Sequence, residues 1–178
     1  MKKTKGATVE PQQKRPRVYW DACIFIHWLK ATGELGVDEQ FRRLDAKELT
    51  AVTSVLTVVE VLECDIPPER KHLLPILKQN PDKLTIVQVG WKEAENAHEI
   101  RSHYKETTEA KVKTPDAIHL ATAVLTECDV FYTLDEKLTK LPEAGVLYGL
   151  KIEVPPHPPE PAQKAMLEVP PKDAVNER

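Results

Sequence analysis

Thr114-Pro115-Asp116-Ala117-Ile118-His119-Leu120-Ala121-Thr122-Ala123-Val124-Leu125, followed after a short break by Asp129-Val130-Phe131-Tyr132-Thr133-Leu134-Asp135, decides how the chain is read. Thr114 is available as an N-cap, and Pro115 suits the first helical turn, where its missing N–H costs nothing. Ala117-Ile118, Leu120-Ala121 and Val124-Leu125 then recur on one helical face. The second stretch is β-branched and aromatic and closes on an acid, which predicts a strand.

Strand and helix alternate upstream as well. Val18-Tyr19-Trp20 reads as a short strand ending at Asp21, followed by an apolar helical run over 24–29 and breaks at Gly33 and Gly36. A weak helix over 38–47 leads into Thr50-Ala51-Val52-Thr53. The run Ser54-Val55-Leu56-Thr57-Val58-Val59-Glu60-Val61-Leu62 is β-branched enough for a strand. Apolar residues at 52, 55, 56, 59 and 62, with Ser54 as a possible N-cap, favour a helix. A short helix bent by Pro75 is predicted over 68–79, a strand over 84–89 closed by Gly90, and a polar helix from Trp91 to about 109. Alternation of this kind implies a parallel sheet with helices on both faces. There are no internal repeats.

The two ends differ from this body. Residues 1–17 hold six bases against one acid, while the whole chain of 178 residues has a formal charge of −3. Residues 1–16 lack hydrophobic periodicity and are read as a basic flexible arm, a plausible contact for phosphates or simply a solvated tail. Seven of the 15 prolines fall after Lys151, so 155–178 is read as an extended proline-rich tail that could drape over a neighbouring subunit. The domain itself is placed at 17–154. A hydrophobic content of 41% suffices for one core. Cys23, Cys64 and Cys128 form no CxxC pair, which argues against disulfides and structural zinc and suggests a reduced, cytoplasmic setting. No apolar run reaches the ~18–20 residues of a membrane helix, and the N-terminus lacks the apolar stretch of a signal peptide.

Four carboxylates stand in apolar company. Asp21 and Asp135 sit at the expected carboxyl ends of two strands, where open parallel sheets gather ligands. Asp116 lies in a first helical turn. Glu60, between Val58-Val59 and Val61-Leu62, is predicted to lie on a mostly buried helix and to need a partner. Each alone has an ordinary role open to it, as turn former, helix-start acid or ion-pair partner. Together, with no basic partner nearby in sequence, they point to a hard divalent cation, magnesium or manganese rather than zinc.

Other candidates are weaker. His98 and His103 miss the i, i+4 spacing of a metal pair, and His119 is read as a core or surface histidine. Cys23 is read as a small core residue. No GxxxxGK[ST] or GxGxxG loop is present.

Val18-Tyr19-Trp20-Asp21 with Ile24-Phe25-Ile26, the run 53–61, Pro115 through Ala123, and Phe131-Tyr132-Thr133-Leu134-Asp135 together resemble, in order and spacing, the PIN domain of VapC-type toxins and several RNA-processing enzymes. The resemblance covers about 17–152 and implies a PIN-like three-layer α/β/α fold with a central parallel sheet. It implies that Asp21, Glu60, Asp116 and Asp135 are catalytic and bind Mg2+ or Mn2+. Thr133 would support the last acid, and Ser54 would open the Glu60 helix. Cys23 departs from the asparagine or serine usual in the family.

The implied activity is metal-dependent endoribonuclease cleavage of single-stranded or structured RNA, in a toxin–antitoxin pair or outside one. Lys111 and Lys113 before the Asp116 helix, and Lys137 and Lys140 after Asp135, are predicted to flank the cleft and bind phosphates. A homodimer and an antitoxin protein are the expected partners. The alternatives are a non-catalytic PIN-like module that binds RNA or protein, and a small-molecule α/β enzyme.

Overall fold

The computed structural model describes residues 15–78, 83–108 and 111–158. Most of the expected basic arm and tail, together with the predicted helix ends at Gln79 and Glu109, therefore lies outside the described residues.

Five strands form one sheet in the order β3-β2-β1-β4-β5, every neighbouring pair parallel. They are β1 (Arg17–Trp20), β2 (Thr50–Ser54), β3 (Leu84–Val87), β4 (Val130–Tyr132) and β5 (Lys151–Glu153). The helices are α1 (Ala22–Lys30), α2 (Leu35–Asp45), α3 (Val55–Leu62), α4 (Trp91–Thr107), α5 (Thr114–Leu125) and the single turn α6 (Glu136–Thr139). A 3-10 segment, Pro68–Leu77, follows α3 and contains Pro75, whose lack of an N–H suits it to short, irregular helix.

Because successive strand side chains point to opposite faces, the central strand divides its residues between two cores. Val18 and Trp20 pack with Phe25, Leu29, Phe41 and Ala51 under α1 and α2. Tyr19 packs with Val52, Ile100, Leu120 and Phe131 under α4 and α5. Full burial of each large apolar side chain contributes about 1.5–3 kcal/mol, so sheet register and helix placement are fixed together. The result is the three-layer α/β/α arrangement with a parallel sheet.

Several local expectations need correction. Thr114 is the first residue of α5 and Lys113 holds the N-cap position, with Pro115 still in the opening turn. Leu125 is 41% exposed rather than part of the α5 core face. Ser54 does stand at the N-cap of α3, but its hydroxyl makes no capping bond, because it is directed toward His119. Among α3 residues only Thr57 and Val61 are buried, so the Glu60 helix is not the mostly buried one expected. The strand before Asp135 ends at Tyr132.

The first tail residues lie against their own chain. Pro155 is buried, and any side chain at Gly36 of α2 would collide with its carbonyl. No helix among the described residues is long and apolar enough to cross a membrane.

Candidate active site

The carboxyl ends of β2, β1 and β4, three adjacent strands, carry the chain into the elements that hold three of the four acids. Asp21 leaves β1 as the N-cap of α1, where its Oδ1 accepts from the Ala22 N–H at 2.7 Å. Asp135 follows β4 as the N-cap of α6, accepting from the Lys137 N–H at 2.8 Å. Glu60 stands on α3 directly after β2, and Asp116 in the first turn of α5, which packs on β2 and α4.

Thr133 joins two of these acids. Its buried hydroxyl donates to Asp21 Oδ2 at 2.7 Å and accepts from the Asp135 N–H at 3.1 Å. Thr133, expected beside the last acid, is bonded to the first as well. Cys23, read from sequence as a small core residue, also bonds to the site. Its Sγ donates to Asp21 Oδ2 at 3.3 Å and accepts from the Leu134 N–H at 3.2 Å. Burial, and then the Asp21 charge, push this thiol far above its ordinary range, so it stays protonated and can act as a donor.

Asp116 is drawn into the same electrostatic field. Burial raises its carboxyl, the charges of Asp21 and Asp135 raise it further, and Lys113 and His119 oppose the rise. Glu60 is the exception. Its Oε2 lies 2.9 Å from Nε2 of His119, so its partner is an imidazole rather than the lysine or arginine considered from sequence.

His119, read from sequence as a core or surface histidine, is a buried one, and the sequence did not reveal which groups it joins. It is 1% exposed, and its Nδ1 lies 2.7 Å from the Tyr19 hydroxyl and 3.3 Å from Ser54 Oγ. In the tautomer whose Nε2–H donates to Glu60, Nδ1 accepts from the phenol. Burial drives the Tyr19 phenol far up, which keeps its proton available for that bond. The available signal was spacing. His119 is three residues beyond Asp116, on the helix surface beside it.

The cationic candidates divide. Lys113 acts on Asp116 and, with Lys111, lines a cleft against α4. Lys140 is held by Glu136 at 2.6 Å, an exposed i, i+4 pair, and Lys137 contributes its backbone N–H to Asp135. A larger cleft of about 730 Å³, between 139 and 153, contains none of the four acids.

A family model for the PIN domain matches residues 18–144. The chain belongs to the PIN domain family. Solved structures agree with this PIN fold. A toxin–antitoxin complex from Klebsiella pneumoniae shares 22% identity over 79% of this chain and 98% of that one, with a TM-score of 0.53. VapBC2 from Rickettsia felis, bound to a DNA fragment from their promoter, shares 15% identity over 78% and 98%, with a TM-score of 0.57. FitAcB from Neisseria gonorrhoeae shares 17% over 78% and 97%, with a TM-score of 0.52. At these identities the likeness is one of fold. No curated protein matches the chain by sequence.

The donor chemistry of this PIN site fits a hard divalent cation. All four candidate ligands are carboxylates, the hard oxygen donors such an ion prefers, and the Asp21 and Asp135 charges at Asp116 are opposed only in part by Lys113 and His119. The carboxylates are not drawn into a closed shell. Among the described residues, no group of three or more His, Cys, Asp or Glu side chains is placed to hold a metal ion.

Proposed function

We propose that this PIN domain, taken as 17–154, is a divalent-metal-dependent endoribonuclease that hydrolyses phosphodiester bonds in single-stranded RNA. The observation that carries this reading is the Thr133 hydroxyl, bonded to Asp21 and to the backbone of Asp135, with Asp116 under the charge of both acids. Family membership supports it, since PIN proteins are usually nucleases.

Asp21, Asp116 and Asp135 would hold Mg2+ or Mn2+, with Glu60 as a fourth ligand or an orienter of the attacking water. When bound, such an ion supplies positive charge to the phosphoryl oxygens and acidity to water. The protein fixes the ligands. Thr133 and Cys23 hold one oxygen of Asp21, and the Ala22 N–H holds the other. His119 holds one oxygen of Glu60. Alone, the acids repel a phosphate, so cutting of a mixed single-stranded RNA should stop with excess EDTA and return with added Mg2+. Activity that survives the chelator contradicts the assignment.

A toxin role in the cytoplasm, with an antitoxin protein and a second copy of the chain as partners, extends this proposal. The solved relatives include toxin–antitoxin complexes, and Val59 and Leu62 on α3, 50% and 63% exposed, offer apolar surface to a partner. Sizing chromatography tests the homodimer. The arm at 1–16 would add phosphate contacts, and the tail at 155–178 would begin where Pro155 meets α2.

One observation favours the second reading, a non-catalytic PIN-like RNA- or protein-binding module. Glu60 is engaged by His119, and among the described residues no three of the acids are placed to hold a metal ion. Metal titration by calorimetry separates the two, because a binding module without the metal site gives no heat with Mg2+ or Mn2+.

A further inference from the structure

Four carboxylates on one edge leave open how a polyanion is gripped beside them. On α4, His98, Arg101 and Lys105 recur at i, i+3 and i+7 and so share one face. That face and the segment Lys111-Val112-Lys113 line a cleft of about 530 Å³. Four of its described lining residues are lysine or arginine and none is acidic, in a protein of net charge −3, so the cleft is a local reversal of the overall field. Arg101 Nε donates to the Val112 carbonyl at 3.2 Å, which ties α4 to the chain entering α5.

The cleft also leads to the acids. Lys113 is the N-cap residue of α5, and its charge acts directly on Asp116. From His98 to Lys105 the helix advances about 10 Å, at about 1.5 Å per residue. At roughly 3.4 Å or more of axial rise per phosphate along a strand, that length spans at most about three of them.

We infer that this cleft is the track for a single-stranded RNA backbone on the Asp116 side of the acids, with Arg101, Lys105, Lys111 and Lys113 each facing phosphate. An acidic peptide is the other polyanion of suitable charge. Peptide recognition also needs pockets for apolar side chains, and the one apolar lining residue, Val112, is buried at 6% exposure. A phosphate chain needs only the cations. Contacts of this kind give affinity and register without sequence choice. The direction of the track rests on the nuclease reading, whereas the cleft's affinity for RNA does not.

The test uses the full chain in EDTA, so that nothing is cut, and a fluorescein-labelled mixed-sequence single-stranded RNA. Its dissociation constant is measured across a salt series for the wild type and for the Lys105→Gln/Lys111→Gln double variant. Both lysines are exposed, so the fold should survive, and circular dichroism checks it. Each lost phosphate contact lowers the slope of log K against log salt by about 0.7, so the double variant should lose about 1.4 and bind roughly tenfold more weakly at low salt. Lys47→Gln, in the turn before β2 at the opposite end of the sheet, should leave the slope unchanged.

An unchanged slope in the double variant overturns the track, as does a wild type that does not bind the RNA. Loss of poly-glutamate binding in the double variant with RNA binding intact overturns it in favour of a protein partner. Cleavage is scored separately with Mg2+. Cutting without a slope change refutes the track and leaves the nuclease, and a slope change without cutting does the reverse.

Discussion

Nε2 of His119 stands 2.9 Å from Oε2 of Glu60, and this contact gives a buried ring the task of aiming an acid at the edge of the sheet. The other ring nitrogen is occupied by Tyr19 from β1, so helix α5, helix α3 and the central strand meet at one side chain. His119→Ala removes both bonds and leaves the buried phenol without its partner, at a cost of about 2–3 kcal/mol. The melting temperature should fall by about 5–10 °C. His119→Gln offers an amide donor to Glu60 and a carbonyl to Tyr19, and should recover part of that loss. Thermal unfolding followed by circular dichroism compares them, and equal losses would mean that ring volume rather than hydrogen bonding matters.

Thr133 is the corresponding link between Asp21 and Asp135. Thr133→Val keeps the shape and deletes the hydroxyl, leaving the Asp135 N–H unpaired and Asp21 one donor short. Activity should drop roughly 10–100-fold, the usual effect of removing a residue that orients a metal ligand. Thr133→Ser should remain within a few-fold of wild type. The check is initial rates of RNA cleavage beside the unfolding midpoint of each variant.

Asp116 gives a prediction about pH. Its folded-state carboxyl is raised above its ordinary value of 3.8, by burial first and then by Asp21 and Asp135. Between the two values the folded state binds more protons than the unfolded one, so stability falls as pH rises through that window. The deficit is fully present above the raised value and absent below the ordinary one. In the metal-free protein, Asp116→Asn should therefore raise the melting temperature at pH 7 and leave it unchanged near pH 3.5. Added Mn2+ should stabilise the wild type more than the variant, by mass action on the folded state. Melting curves at both pH values, with and without the metal, decide it.

Cys23 should behave as a protected thiol. Burial and the neighbouring Asp21 charge hold it protonated, and only the thiolate attacks alkylating reagents. Mass-mapped alkylation of the native protein at pH 8 should label Cys23 at least about tenfold more slowly than in the urea-unfolded chain. Cys23→Ser keeps a donor toward Asp21 and should stay active, whereas Cys23→Val should not.

Much of this was legible in the sequence. The strand–helix alternation, and the acids that follow β1 and close the 130–134 run, follow from β-branched and apolar patterning and from where parallel sheets present their loops. The β-branched run at 55–62 was readable as a helix, although the face it buries, Thr57 and Val61, is not the 52/55/56/59/62 spacing that suggested one. What remained hidden were pairings across long sequence separations. Glu60 and His119 are 59 residues apart, and Asp21 and Thr133 are 112 apart, so no local pattern announces either bond. Cys23 looked apolar because a thiol has no strong polar signature, and it acquires a donor's role only once Asp21 is folded beside it. Ser54 carried the expected cap signal, yet the buried ring of His119 captures its hydroxyl.

The most direct test is cleavage of a mixed single-stranded RNA in Mg2+ or Mn2+ by the wild type and by Asp116→Asn, at equal folded concentration. The acidic cluster as a nuclease centre requires metal-dependent cutting by the wild type and a loss of roughly a hundredfold or more in the variant. Equal cutting by the two proteins contradicts it.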